Sequence, residues 1–285
     1  MGDNSAIEWT DATWNPIVGC TKVSEGCRNC YAIRTAYRNA AMGTERYKGI
    51  TKKQGNELNW TGEVRLVKEA MDLPLRWKRP RRIFVNSMSD LFHESVPSNA
   101  IDRIFAVMLA ARQHQFQVLT KRPARMAAYL KAYLKWEKSP LSERIWIGVS
   151  IEDQNAANER LPILASIRAE RRWVSLEPLL GRIDLQAPFM PGIQSMYPQG
   201  VREHLTRCMR YVLNWVVVGG ESGHNARPMN PEWACDLRDQ CKRYGVPFFF
   251  KQWGEYNAEG KRVGKKEAGL LLDGVEWSDE PTATI

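Results

Sequence analysis

The sequence predicts an α/β fold, a partial (β/α) barrel of six or seven parallel strands. Short apolar segments rich in β-branched and aromatic residues alternate with helical segments, which is typical of a parallel sheet covered by helices. Six or seven such repeats within 285 residues favour a full or partial barrel over an open sheet. We expect a barrel domain over residues 1–255, with insertions near 43–70 and 187–211, and a C-terminal extension over 256–285.

The first predicted strand ends at the cysteine-containing segment 20–30, after an apolar run punctuated by proline and glycine. A helix is predicted directly afterwards, over residues 31–42. Residues 43–70 are polar and contain glycine, so we expect a loop-rich insertion, with a helical piece around 65–77. Further strands are predicted at 82–90, 116–121, 145–150, 173–178, 214–221 and 246–251, and further helices at 97–109, 122–136, 155–169 and 231–244.

The charge of the chain indicates a polyanionic partner. Lysine and arginine number 41 against 32 aspartate and glutamate residues, which gives a formal net charge of +9. Such an excess attracts nucleic acid, and three basic segments at 76–82, 131–138 and 202–210 contain or adjoin aromatic residues that can stack on bases. For each segment alone, a solvated helix face is the alternative.

Composition also bears on the compartment. No run of eighteen apolar residues occurs and the N-terminal ten residues are polar and acidic, so we expect neither a membrane span nor a secretory signal. The expected location is the cytoplasm, where thiols stay reduced and are able to hold a metal. The oligomeric state stays open.

Polar or ionisable residues end nearly every predicted strand. They are Ser87, Ser89, Asp90, Thr120, Lys121, Ser150, Glu177, Glu221, Lys251 and Gln252. In a parallel barrel the carboxyl ends of all strands meet on one face, where active sites are built. Each residue alone has a helix cap or a surface contact as its alternative, and only the repeated placement predicts a site.

Three of the six cysteines fall within eleven residues, with the spacing C-x6-C-x2-C. They are Cys20, Cys27 and Cys30. A structural zinc requires four ligands, whereas three thiolates leave one coordination position of a metal cluster open. A structural zinc, a redox pair and plain core thiols remain as alternatives, although no second CxxC or HxxxH follows in the chain.

The ordered motifs resemble a known superfamily. Asn15-Pro16 and the cysteine triad, then Ser89-Asp90, then residues 119–121 and 148–150, follow one another as in the radical S-adenosylmethionine (SAM) superfamily. Within it the chain resembles the spore photoproduct lyase branch, and it is also similar to the phage-associated three-cysteine-motif proteins. The resemblance covers residues 14–181. It departs from the superfamily in its C-x6-C spacing, which is usually C-x3-C, and in Asn29, where an aromatic residue is usual.

The resemblance implies cofactors and roles. Cys20, Cys27 and Cys30 would hold a 4Fe-4S cluster whose open iron binds SAM. An external one-electron reductant would then drive cleavage of SAM to methionine and a 5′-deoxyadenosyl radical. The other implied roles are SAM binding for Tyr31, Ser87, Ser89, Asp90, Lys121 and Ser150, and catalysis or substrate contact for Glu177, Glu221, His224 and Lys251.

Two functions follow as hypotheses. The first is a radical SAM enzyme that repairs or modifies a nucleic-acid base or nucleoside, in keeping with the basic charge. The second is a non-catalytic nucleic-acid-binding protein with a structural metal site. Cys208, Cys235 and Cys241 are expected to be ordinary thiols, with a second cluster or a hydrogen-atom donor as alternatives.

Overall fold

The computed structural model describes residues 5, 7–135, 139–189 and 209–281. The greater part of the predicted insertion at 187–211, including Cys208, lies outside the described residues, and so do parts of the basic segments 131–138 and 202–210. The chain divides into two compact units. The first comprises Met1–Ile147 and Arg168–Glu170, and the second comprises Gly148–Ile167 and Arg171–Ile285.

The described strands are β1 (Ala12–Trp14), β2 (Ile17–Val18), β3 (Thr51–Gln54), β4 (Glu57–Trp60), β5 (Arg65–Leu66), β6 (Arg82–Val85), β7 (Gln115–Thr120), β8 (Ile145–Ser150), β9 (Arg172–Leu176), β10 (Trp215–Gly219), β11 (Phe248–Gln252), β12 (Leu271–Leu272) and β13 (Val275–Glu276). The described helices are α1 (Tyr31–Ala41), α2 (Leu73–Arg76), α3 (Ser98–Ala110), α4 (Pro123–Tyr133), α5 (Gln154–Ser166), α6 (Met209–Val212), α7 (Pro231–Tyr244) and α8 (Lys265–Ala268).

A seven-stranded parallel sheet has the order β1-β6-β7-β8-β9-β10-β11. Its strands are short and almost fully buried, as the β-branched and aromatic runs of the sequence require. Helices α3, α4 and α5 follow β6, β7 and β8, each in the predicted alternation. This sheet confirms the predicted α/β class and the partial (β/α) barrel.

The structure corrects the prediction around the cysteine segment. The first strand of the sheet ends at Trp14, because Asn15-Pro16 leads into a second strand, β2, that pairs antiparallel with β5. The predicted helical piece around 65–77 is wrong for Arg65–Leu66, which forms β5, whereas Lys68–Ala70 forms a 3-10 turn and Leu73–Arg76 forms α2. Residues 51–60 form the β3–β4 hairpin within the predicted loop-rich insertion. These strands were not predicted, because their residues are polar or their runs are short and they pair with other segments of the chain.

In the first unit a core cluster lies beneath the cysteine segment. Helix α1 buries Ala32, Ile33 and Ala36 in this cluster, together with Val18 of β2 and Trp60 of β4. The sulfur-bearing side chains of Cys20 and Cys30 pack at its margin. The helix that follows the triad is thus fixed by apolar burial on one face only.

In the second unit large aromatic side chains pack between neighbouring strands. The ring centroids of Trp173 and Trp215 lie 5.6 Å apart, and those of Trp215 and Phe249 lie 5.8 Å apart. Helix α7 has the predicted bounds, because Asn230 caps its first turn and Gly245 ends it in the left-handed conformation. Residues 277–279 of the predicted C-terminal extension hydrogen-bond to β11. Among the described residues, no helix is long and apolar enough to cross a membrane.

Candidate functional site

Gly19 fixes the start of the cysteine segment. Its backbone N–H donates to the carbonyl of Met88 at 3.2 Å, and it forms an isolated parallel bridge with Ser89. Gly19 has a φ of +91°, and a Cβ atom there would lie 2.1 Å from the carbonyl oxygen of Glu63. Only glycine fits this position, and the close approach holds the chain before Cys20 beside the loop that follows β6.

The three cysteine side chains are half-buried. Burial, with the charge of Asp90, raises the pKa of Cys20 to about 12, and the thiolates of Cys30 and Cys27 act in the same direction. Burial also raises the pKa of Cys30, with Cys27 again raising it and Lys121 opposing. The raised pKa values mean that the thiols of Cys20 and Cys30 are protonated in the metal-free protein, and they would have to lose their protons to bind a metal.

The sulfur contacts are nevertheless local. The thiol of Cys20 donates to the carbonyl of Thr21 at 3.4 Å, and the hydroxyl of Ser24 lies 3.9 Å from the sulfur of Cys27. Within the described ranges, no group of three or more His, Cys, Asp or Glu side chains is arranged to hold a metal ion. Cysteine thiolates are the donor type that an iron–sulfur cluster uses, and the described side chains do not form a finished metal-ligand geometry.

Arg122, directly after β7, joins the cysteine segment to the loop that follows β6. Its Nη1 donates to Asp90 Oδ2 at 3.1 Å and approaches the sulfur of Cys20 at 3.8 Å. Its Nη2 donates to Thr21 Oγ1 at 2.7 Å, and its Nε donates to both carboxylate oxygens of Glu94. Sequence reasoning selected Lys121 and missed this residue, although two adjacent basic residues at a strand end were a usable signal.

Asp90 is saturated by donors from its own unit. Its Oδ1 accepts from the Thr120 hydroxyl at 2.6 Å and from the Phe92 N–H at 2.9 Å. Its Oδ2 accepts from the Lys121 N–H at 3.1 Å and from Arg122. With four donors on two oxygens, the buried carboxylate orders the ends of β6 and β7.

The predicted SAM-binding residues after β6 also make short contacts. The Ser87 hydroxyl donates to Asn15 Oδ1 at 3.1 Å, and the Ser89 hydroxyl donates to the carbonyl of Ile17 at 2.9 Å. The Tyr31 hydroxyl donates to the carbonyl of Ser87 at 2.8 Å, while its side chain stays exposed. The structure thus brings Ser87, Ser89, Asp90 and Tyr31 together around the cysteine segment.

His93 completes the polar surroundings of the segment. Its Nδ1 accepts from the Ser95 N–H at 3.1 Å, so Nε2 carries the proton and donates to Thr21 Oγ1 at 2.9 Å. Burial, and then the positive charge of Arg122, lowers the pKa of His93. The imidazole is therefore neutral at physiological pH and acts here as a hydrogen-bonding group.

In the second unit the structure brings together three other predicted residues. Lys251 Nζ lies 2.6 Å from Glu177 Oε1, and both side chains are largely buried. The Ser150 hydroxyl donates to the carbonyl of Glu177 at 3.3 Å. A Cβ atom on Gly219 would lie 3.4 Å from the Glu177 carboxylate, so a glycine keeps β10 close to this pair.

Glu221, the third predicted catalytic residue, has a different partner. Its Oε2 accepts from the backbone N–H and Nε of Arg227 at 2.9 and 2.8 Å, and its Oε1 accepts from Nη2 at 2.6 Å. His224 lies exposed in the loop between them. Such a bidentate pair stabilises the loop after β10, so these contacts are structural.

Sequence reasoning missed a second buried ion pair. Arg160 of α5 donates to Glu152 Oε2 at 3.0 Å and to the carbonyl of Ser150 at 2.7 Å. Both charged side chains are buried. Their separation of eight positions, four beyond the helical i to i+4 interval, gave no local signal.

The remaining described cysteines lie in α7. Cys235 donates to the Asp273 carboxylate at 3.5 Å, and Cys241 is buried. Burial raises the pKa of both thiols. They behave as the ordinary thiols that the sequence predicted.

The fold and the site define an α/β protein with a parallel sheet and a cysteine-rich segment beside the carboxyl end of β6. The chain belongs to DUF5131, a family of proteins of unknown function, whose family model matches residues 4–281. No curated protein and no solved structure matches the chain.

Proposed function

We propose that this chain is a radical SAM enzyme that acts on a nucleic-acid base or nucleoside. The observation that carries the proposal is that Ser87, Ser89, Asp90 and Tyr31, which the superfamily resemblance assigns to SAM, lie around the segment that contains the cysteine triad. When bound, a 4Fe-4S cluster would supply the electron that cleaves SAM and thereby generates a 5′-deoxyadenosyl radical.

The first unit supplies the ligands. Cys20, Cys27 and Cys30 would hold three irons, as the superfamily resemblance implies for three cysteines at this place in the sequence. Arg122 faces the sulfur of Cys20 from a buried position, and a donor aimed at a ligating sulfur stabilises its anionic form.

The strand ends would orient SAM. Lys121 lies within electrostatic range of Cys30, which suits a cation that pairs with the methionyl carboxylate. Because Asp90 already accepts four hydrogen bonds, we assign it the positioning of the β6 and β7 ends and leave the methionyl amino group to Ser89 and neighbouring carbonyls. Tyr31 stands at the rim, where an exposed ring is able to cover adenosine.

Within the second unit, Glu177 and Lys251 are the residues proposed to act in proton transfer. The Lys251 ammonium and the Glu177 carboxylate form a close pair that is able to hold or move a proton. The net charge of +9 favours a substrate that carries phosphates. A cytoplasmic setting and an external one-electron reductant complete the proposal.

Electron paramagnetic resonance of the anaerobically reconstituted, reduced protein tests the proposal. We expect a cubane signal that shifts on addition of SAM and disappears in Cys30→Ser. The matched control is Cys235→Ser, which removes a half-buried cysteine of α7 and should leave the signal intact. Stoichiometric zinc, or a cluster indifferent to SAM, would instead support a non-catalytic nucleic-acid-binding protein with a structural metal.

A further inference from the structure

Helix α1 presents an exposed basic and aromatic face. Its exposed residues are Tyr31, Arg34, Tyr37, Arg38 and Ala41, and we call the first four the α1 face. At 100° per residue these four positions fall within about 120° of the helix circumference. The buried residues Ala32, Ile33 and Ala36 point the other way, into the core of the first unit.

The charge of this face is uniformly positive. Helix α1 contains no acidic residue, and neither Arg34 nor Arg38 forms an ion pair with any described carboxylate. The two arginines lie one turn apart, a rise of about 6 Å along the axis. Two unneutralised guanidinium groups at this spacing attract a polyanion and are able to contact successive phosphates.

Aromatic rings accompany the arginines. The side chain of Tyr37 is 41% exposed and supplies the stacking ring of this face, whereas that of Tyr31, 54% exposed, is the one assigned to adenosine and lies at the end of the face next to the candidate site. Rings left in water beside arginines provide the stacking surfaces on which single-stranded nucleic acids place their bases. Because every base has a π-face, such a surface binds without strong preference for sequence.

A lipid surface fits the face less well. A helix that lies in a membrane interface buries aliphatic and aromatic residues in the acyl boundary below its basic residues. Here the aliphatic residues of α1 are buried in the protein core, and no aliphatic residue larger than alanine is exposed within Tyr31–Ala41. The face therefore has charge and stacking groups but no apolar stripe to insert.

We propose that the α1 face binds the backbone and bases of a single-stranded nucleic acid. The helix starts directly after Cys30, and the Tyr31 hydroxyl contacts the loop after β6, so a bound strand would pass the candidate site. This inference rests on the proposed function for its biological purpose, because it assigns the surface that holds a nucleic-acid substrate. Binding of nucleic acid at α1 does not itself require a bound cluster.

Fluorescence anisotropy of the full-length protein with a fluorescein-labelled single-stranded oligonucleotide of about 16 nucleotides tests the inference. The variant is Arg34→Gln/Arg38→Gln. The matched control is Arg103→Gln/Arg112→Gln, which removes two exposed arginines on and after α3 in the same unit. We expect the α1 variant to bind about tenfold more weakly and to lose about 1.4 from the slope of log K against log salt, with the control unchanged.

A second variant separates stacking from charge. Tyr37→Ala should weaken binding by about tenfold while leaving the salt slope unchanged. Equal losses in the α1 variant and its control, absence of oligonucleotide binding, or stronger binding to phosphatidylserine vesicles than to the oligonucleotide would overturn the inference.

The measurement is made on metal-free and on reconstituted protein. If no cluster forms but the α1 variant alone loses affinity, the radical mechanism is wrong and the surface stands. If the cluster responds to SAM and the α1 variant binds normally, the surface is wrong and the enzyme stands.

Discussion

Arg122 Nη1 lies 3.8 Å from the sulfur of Cys20 and 3.1 Å from Asp90 Oδ2. One buried guanidinium thus contacts both the cysteine segment and the carboxylate that orders the ends of β6 and β7. Since Asp90 is also buried, each charge depends on the other for compensation. This pair makes the geometry of the cysteine segment dependent on the strand ends of the sheet.

Replacing Arg122 should therefore destabilise the protein even without a cluster. Arg122→Gln leaves the Asp90 carboxylate buried beside a neutral group, so we expect the free energy of unfolding to fall by about 3 kcal/mol. Arg122→Lys keeps the charge but loses the planar guanidinium group, so its free energy of unfolding should fall by less than that of Arg122→Gln. Urea unfolding of metal-free protein measures both, with the exposed Arg103→Gln as control. Equal stabilities of Arg122→Gln and the control would contradict the role assigned to this pair.

A buried histidine should make stability depend on pH. Burial lowers the pKa of His114 from its ordinary value of 6.5, although Nε2 donates to the carbonyl of Pro74 at 3.1 Å. The unfolded chain then binds the proton more tightly than the folded one, so stability is complete above pH 6.5 and is lost as the pH falls toward the folded pKa.

The measurement is urea unfolding between pH 7.5 and 5. His93 contributes in the same direction, so the diagnostic quantity is the difference between wild type and His114→Gln. We expect the variant to have a shallower pH dependence than the wild type in this range. A parallel loss of stability in wild type and His114→Gln would argue against the assignment.

Much of the sheet was predictable because its determinants are local. Buried runs such as those at 145–150 and 214–221 are short, β-branched and bounded by polar residues, and they form β8 and β10. Helix α7 was predicted to the residue because its cap, Asn230, and its terminator, Gly245, stand next to it in sequence. The pairing of β2 with β5 was not predictable, since it joins a two-residue apolar run, Ile17–Val18, to Arg65–Leu66, a short segment 47 to 49 positions later in a polar stretch.

For the candidate site too, features within one segment were predictable and contacts between distant segments were not. The cysteine spacing and the polar strand ends are properties of single segments, so they were visible in the sequence. The partners of those residues are not: Arg122 reaches back 102 positions to Cys20, and Lys251 reaches back 74 positions to Glu177. Sequence reasoning therefore identified the residues of two groups without identifying which of them pair.

Comparing alanine substitutions at Gly19 and Gly43 distinguishes the cost of a steric clash from the cost of backbone strain. Both have positive φ angles, +91° and +86°, but a Cβ atom would clash with the Glu63 backbone only at Gly19 and meets nothing within 4 Å at Gly43. Gly43→Ala should cost about 1 kcal/mol, the ordinary strain of alanine in this conformation. Gly19→Ala should cost at least about 3 kcal/mol, because backbone must move. Thermal unfolding of the two variants measures the difference in stability. Comparable losses of stability would show that the backbone around Gly19 moves easily to accommodate a Cβ atom.

The pair of Glu177 and Lys251 should show coupling in a double-mutant cycle. Glu177→Gln or Lys251→Met alone leaves one largely buried charge uncompensated, and we expect each to lower the free energy of unfolding by about 2 kcal/mol. The double variant should recover part of that loss, with a coupling energy of about 1 kcal/mol or more.

The same variants test whether this pair serves chemistry as well as stability. If the pair acts on substrate, the double variant is folded, keeps its cluster signal and loses product formation. The control pair is Glu152–Arg160, which is more deeply buried and contacts only the chain itself in the described structure. Breaking it with Arg160→Met should cost more stability, about 3 to 5 kcal/mol, because its remaining carboxylate is fully desolvated. Strictly additive effects at Glu177 and Lys251, with full turnover in the double variant, would show that the two residues neither stabilise each other nor take part in catalysis.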